Sequence, residues 1–162
     1  MRNSRKPFMS QPQTIENNSP KWIIVAEGDQ SLCIGMVNYL LFHGYRVTGV
    51  GSAYDFYRQV FAEPYAVAII DDALPDQSGL LVAEYARKNT AMRIITLSEP
   101  LFSSTVQANI KSGADLNLVK PVDFRLLAAC VTNLFGRLDS SIPDDRPKSH
   151  TNLTEIAQHE PV

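Results

Sequence analysis

Four residues of this 162-residue chain pair reactive side chains with a common address: Glu27, Asp71, Ser98 and Lys120 each follow a largely apolar run. The runs read WIIVA before Glu27, AVAII before Asp71, RIITL before Ser98 and LNLV before Lys120. Apolar stretches of this length without polar alternation are expected of parallel strands covered on both faces. The rim at the carboxyl ends of such strands is where open α/β sheets hold ligands. Two carboxylates held close there repel, and one resists ionisation unless a cation joins them. A hard divalent ion such as Mg²⁺ is the natural third party. An ionised Asp71 then has the character of a nucleophile toward phosphorus, with Lys120 as a point charge and Ser98 as a hydroxyl donor to phosphoryl oxygens. Singly, these residues read equally as a strand-terminating carboxylate, a rim carboxylate, a loop hydroxyl and a solvated ammonium. Together, they form one coherent phosphoryl-accepting set.

The elements that must position them follow from periodicity and punctuation. Strands are predicted over 22–26, 45–50, 66–70, 92–97 and 116–119, and helices over 30–43, 53–61, 80–89, 104–112 and 123–138. Gly44 is the expected stop of the first helix, whose apolar face is assigned to Ile34, Val37, Leu40 and Leu41. Ser52 is the expected cap of the second, with Ala53, Phe56, Tyr57, Val60 and Phe61 as its stripe. Pro75 and Gly79 enforce an exposed loop after Asp71, in which Asp72 and Asp76 read as solvated charges. The helix over 104–112 has only Val106 and Ile110 as strong apolar positions, which makes it a candidate for movement. The last helix is expected to bury Leu127, Cys130, Val131, Leu134 and Phe135. Five strand and helix alternations call for an α/β fold, a doubly wound five-stranded parallel sheet with right-handed crossovers. The expected order is 2-1-3-4-5, with its crevice at strands one and three, so Glu27 and Asp71 should lie side by side.

Composition bounds the partners. With 44% hydrophobic and 20% charged residues the chain reads as a globular domain, and a net charge of -2 gives no footprint for nucleic acid or an anionic membrane. Cys33 and Cys130 fall in apolar helical patterns as free thiols, which suits a reducing, cytoplasmic compartment. No apolar segment has the form of a signal peptide or a membrane span. Residues 1–20, rich in Asn, Gln, Ser and Pro, read as a flexible tail, 21–138 as the folded domain, and 139–162 as an acidic, Pro-containing second tail. Within that second tail NLTEIA, from Asn152, has capping-box spacing to Glu155 and suits one docking helix. Gly49-Val50-Gly51 lacks the third glycine of a dinucleotide fingerprint, and no phosphate-binding GxxxxGK[ST] exists. A phosphatase using an Asp nucleophile would need a second Asp where Ala73 stands.

Over residues 21–138 the chain resembles the receiver domains of two-component response regulators. IIDDALPDQSG looks like the family's phosphoacceptor segment, with Leu74, Pro75 and Gly79 at the usual spacing from Asp71, while ITLS and GADLNLVKP are similar to its later strands. The resemblance implies a flavodoxin-like receiver fold and a signalling domain rather than an enzyme. It further implies that a histidine kinase or phosphotransfer protein phosphorylates Asp71, that Lys120 contacts the phosphoryl group, and that Ser98 reports it. Mg²⁺ would be held by Glu27, Asp71 and the backbone carbonyl of Ala73. Output would pass through a homodimer or partner on the face formed by the helix over 104–112 and the last helix, without direct nucleic-acid or membrane binding by this chain. Too few residues follow Leu138 for a DNA-binding output domain.

Three departures qualify these expectations. Ala26 is assigned to the first of two usual acidic positions and Glu27 to the second, which should weaken Mg²⁺. Glu99 follows Ser98 where a small residue is usual, and Asn117 replaces the usual Tyr or Phe, making Ser98 and Asn117 the switch pair. A second expectation therefore stands beside the first, a pseudo-receiver that binds partners without phosphate.

Overall fold

Isoleucine, valine and alanine dominate the strand segments, and these form the centre of the molecule. The computed structural model describes residues 21–100, 108 and 111–139. The strands are β1 (Trp22–Ala26), β2 (Arg46–Val50), β3 (Val67–Asp71), β4 (Arg93–Ser98) and β5 (Leu116–Val119), all parallel in the order β2-β1-β3-β4-β5. The helices are α1 (Gln30–Phe42), α2 (Ala53–Ala62), α3 (Gly79–Asn89) and α4 (Phe124–Asp139). The helix expected over 104–112 falls largely outside the described residues, within which Ser112 N–H donates to Ala108 O at 2.9 Å. The two expected tails, including NLTEIA, also lie outside them.

Alternation along each strand sorts side chains into two apolar layers. Ile23, Val25, Val67, Ile69, Ile95 and Leu97 pack with α1 and α4, whereas Ile24, Ala26, Ala68, Ile70 and Ile94 pack with α2 and α3. Every residue of β3 is buried, as a central parallel strand requires.

Helix boundaries follow their caps. Asp29 accepts the Leu32 N–H to open α1, and Ser52 accepts the Asp55 N–H to open α2. Asp123 accepts the Arg125 N–H at 2.9 Å, so it caps α4 rather than joining it. Gly44, at φ +86°, takes the left-handed conformation that ends α1.

Two helix faces differ from expectation. Helix α1 buries Cys33, Met36 and Leu40, leaving Ile34 51% and Leu41 47% exposed. Its sequence is apolar on nearly all sides, so neighbours set its rotation. A Cβ at Gly49 would lie 2.9 Å from Cys33 Sγ, and one at Gly35 would lie 3.0 Å from Phe124. These bare glycines let α1 seat against β2 and α4 on that face. Helix α2 buries Ala53 and Phe56 but leaves Phe61 94% exposed. At about 100° per residue Phe61 lies about 140° around the helix from Phe56, outside the contact arc. In α4, Leu127, Ala128, Val131, Leu134 and Phe135 are buried, while Cys130 is only half-buried.

Candidate functional site

The carboxyl ends of β1, β3, β4 and β5 converge on one rim, and the local chain fixes each functional side chain there. Glu27 follows β1 and is 1% exposed. Its Oε1 accepts the Asp29 N–H at 2.9 Å, so the turn that starts α1 also orients the carboxylate. Asp71 ends β3, 3% exposed, with Oδ1 accepting the Ala73 N–H at 3.2 Å. Ser98 ends β4 in full burial, and its carbonyl accepts the Lys120 N–H at 2.8 Å, registering the end of β5 beside it.

Lys120 joins the set electrostatically. Its Nζ stands 3.1 Å from Glu27 Oε2 and 3.2 Å from Asp71 Oδ1, with the exposed Glu99 Oε1 at 3.9 Å. Two buried carboxylates thus share one ammonium. Burial pushes the Glu27 carboxyl above its usual range, and the Asp71 charge adds to the rise against the hydrogen bonds from Asp29 and Lys120. Burial pulls the Lys120 ammonium down, but hydrogen bonds to Glu27 and Asp71 and their charges outweigh it, leaving the group above its usual value.

The donor set suits a hard cation. Glu27 Oε2, paired with the Lys120 ammonium, and the second carboxylate of Asp71 on the same ammonium both offer only oxygen. Among the described residues no three His, Cys, Asp or Glu side chains converge, so the carboxylate count is two. Mg²⁺ commonly binds through one or two carboxylates and retains several waters, so the residues fit it.

Ala26 does not belong to this rim. It is fully buried in the layer with Val50, Ala53, Phe56 and Leu74, because residue 26 shares its face of β1 with Ile24 and Glu27 takes the other. An acidic residue at 26 would enter apolar packing. The rim position without a side chain is the exposed Gly28, whose added Cβ would lie 3.2 Å from Pro75 Cδ in the loop after Asp71.

Asn117 meets Ser98 directly. Its Nδ2 donates to Ser98 Oγ at 3.1 Å, and its Oδ1 accepts from Thr96 Oγ1 at 3.0 Å and lies 3.3 Å from Ser98 Oγ. Thr96 is the cross-strand partner of Asn117, an additional member of the site. Its signal in the sequence was parity: residues 96 and 98 of one strand share a face.

The loop after Asp71 is held from both ends. Asp76 is exposed, as expected of a loop charge, but it also accepts the Ala53 N–H at 2.8 Å and the Tyr54 N–H at 3.0 Å and so caps α2 from across the fold. These bonds hold its carboxyl below the usual range. Tyr57 Oη donates to Gln77 Oε1 at 3.0 Å, reinforcing the attachment. At the other end a Cβ on Gly79 would lie 1.9 Å from the carbonyl oxygen of Asp71. Only a glycine lets α3 start so close to the end of β3.

Comparisons with known proteins agree with this architecture. Residues 23–132 match the family model of the response regulator receiver domain. The chain is 25% identical over 120 residues to the TorCAD operon transcriptional regulatory protein TorR of Escherichia coli O157:H7, covering 74% of this chain and 52% of that protein. It is 29% identical over 118 residues to the transcriptional regulatory protein GltR of Pseudomonas aeruginosa, covering 71% and 49%. The chain spans about half the length of these curated relatives. Among solved structures, a CheY-like receiver domain protein from Methanospirillum hungatei JF-1 superposes with a TM-score of 0.68 at 26% identity, covering 75% of this chain and 98% of that one. A two-component response regulator from Clostridium difficile gives 0.71 at 21% identity, covering 74% and 99%.

Proposed function

The chain belongs to the response regulator receiver domain family, and from that premise we propose that Asp71 accepts a phosphoryl group from a histidine kinase or phosphotransfer protein and signals by a change of shape. The observation that carries this reading is the Lys120 ammonium within 3.2 Å of both Glu27 and Asp71 at the rim, with Ser98 at the next strand end. An Asp71 oxygen attacks phosphorus in line, the bond from phosphorus to the donor nitrogen breaks, and its electron pair leaves with the donor imidazole. Lys120 then pairs with phosphoryl oxygens, and Ser98 donates a hydrogen bond to one of them. Glu27, Asp71 and the Ala73 carbonyl are the groups that would hold Mg²⁺, which supplies charge neutralisation for the phosphoryl oxygens. With two carboxylates, the site should bind that ion weakly.

The domain works as a signalling module rather than an enzyme, in the cytoplasm. Its output face, for a second copy or another protein, includes α4 and the segment over 104–112. No helix among the described residues is long and apolar enough to cross a membrane. One further reading has its own support. The bare Gly28 and the hydrogen-bonded Ser98 favour a pseudo-receiver that binds partners without phosphate.

Incubation with Mg²⁺ and acetyl phosphate separates the two. A live site gains the mass of one phosphoryl group, labile to base, absent from Asp71→Asn and strongly reduced without Mg²⁺. Lys120→Ala weakens the response more than Ser98→Ala, because a full charge is lost rather than one donor. Absence of an adduct in the parent protein gives the pseudo-receiver reading the lead.

A further inference from the structure

Three polar side chains, the buried Thr96 and Ser98 and the half-buried Asn117, meet across the paired strands β4 and β5, and hydrogen bonds within the group tie them together. Thr96 and Ser98 are fully buried, and residues 96 and 98 share one face of β4. Pairing of Thr96 with Asn117 brings the carboxamide under both hydroxyls. Its Oδ1 takes the Thr96 hydroxyl at 3.0 Å, and its Nδ2 donates to Ser98 Oγ at 3.1 Å. Thr96 has a second acceptor in the Leu116 carbonyl at 3.4 Å, whereas the bonds described for the Ser98 side chain both go to Asn117. A buried hydroxyl does not give up such partners without replacement, because leaving it unpaired costs more than the bond itself contributes.

We infer that Asn117 is the positioning residue of Ser98 and sets the resting state of the site. At rest the Ser98 hydroxyl belongs to Asn117. Its proton is donated to Asn117 Oδ1 at 3.3 Å, so donating to a phosphoryl oxygen on Asp71 takes that proton from the carboxamide, and the two acceptors compete for one hydroxyl proton. The inference rests on the reading of Asp71 as phosphoacceptor. Its mechanical content is that coupling between β4 and β5 runs through a polar bond whose strength is set by residue 117. Removing the carboxamide lowers the cost of reorienting Ser98 and biases the domain toward its phosphoryl-bound form.

The test is a double-mutant cycle with beryllofluoride, a phosphoryl mimic, in Mg²⁺-containing buffer. Asn117→Leu approximates the shape without the amide. Asn117→Ala serves if the branched side chain does not pack, and a cooperative thermal transition qualifies either variant. Expected is about five-fold tighter beryllofluoride binding on removal of the amide, the equivalent of one net hydrogen bond. In a Ser98→Ala background the same substitution should change the affinity by less than about two-fold. In the parent protein, the Asn117 side-chain amide resonances should shift on binding. An equal effect with and without Ser98, or an affinity unchanged by removing the amide, overturns the role of Asn117 while leaving the phosphoacceptor reading intact. No beryllofluoride binding in the parent, or undiminished binding in Asp71→Asn, overturns the phosphoacceptor reading and the inference with it.

Discussion

At the scale of single residues, the rim is short of carboxylate and rich in shared charge. Ala26 and Gly28 make the distinction testable, because one faces an apolar layer and the other faces the loop after Asp71. Ala26→Asp should cost about 3 kcal/mol or more of stability, since it places an ionisable group among Val50, Phe56 and Leu74. Gly28→Asp, whose Cβ asks Pro75 to give by a few tenths of an ångström on the exposed rim, should cost less stability than Ala26→Asp and should tighten Mg²⁺ binding relative to the parent. Urea midpoints and a Mg²⁺ titration followed by amide shifts check both, and tighter metal binding by a stably folded Ala26→Asp would refute the assignment. Asp71 gives a second expectation. Lys120 is shared between two carboxylates, so Asp71→Asn relieves like-charge crowding, while its amide oxygen can still accept the Ala73 N–H. Without Mg²⁺ that variant should gain on the order of 1 kcal/mol in denaturant unfolding. A clear loss would make Asp71 a structural hydrogen-bond centre instead.

At the scale of elements, the loop between β3 and α3 is fastened to α2 rather than free. Asp76 supplies acceptors to the Ala53 and Tyr54 amides, while Ser52 serves Asp55, so the first turn of α2 is satisfied from two segments. Because the Asp76 carboxyl is held below its ordinary value of 3.8, its contribution to stability is fully present above that value. It is lost as pH falls through the lowered, folded-state value. Asp76→Ala should therefore unfold at lower denaturant than the parent at neutral pH, and the gap should close in strong acid. Midpoints measured across that range decide the matter, and a gap independent of pH would assign the effect to packing. The two helix faces that differ from the sequence pattern belong at this scale too. For α1 the bare Gly49 and Gly35 select the contact arc, and for α2 the arc simply stops short of Phe61.

At the scale of the whole molecule, two apolar layers hold a parallel sheet rigid while its polar parts collect at one rim. β3 is buried throughout and β1 from Ile23 to Ala26, so a phosphoryl mimic should leave the amides of these two strands protected. On the proposed reading of Asp71 as phosphoacceptor and Ser98 and Asn117 as its switch, protection should change in residues 72–78, in 96–120 and in α4. Hydrogen exchange with and without beryllofluoride measures this, and change confined to residues outside 21–138 would contradict it.

What the sequence determined by itself was the class of fold, the strand order and the placement of Glu27, Asp71, Ser98 and Lys120 at one rim. Those conclusions rest on apolar runs, turn residues and family-like spacing, which are local properties of the chain. The sheet indeed runs β2-β1-β3-β4-β5, and β5 has the predicted bounds. Which atoms meet was decided by tertiary structure. Lys120 bridges Glu27 and Asp71 because parallel pairing in register delivers three distant strand ends to one place. Asn117 holds Ser98 because cross-strand pairing sets it against Thr96, and the exposed Asp76 becomes a cap because the start of α2 stands within its reach. Ala26 belongs to the apolar layer for the same kind of reason. Periodicity says that successive strand residues alternate in direction, but only packed helices say which face each direction is.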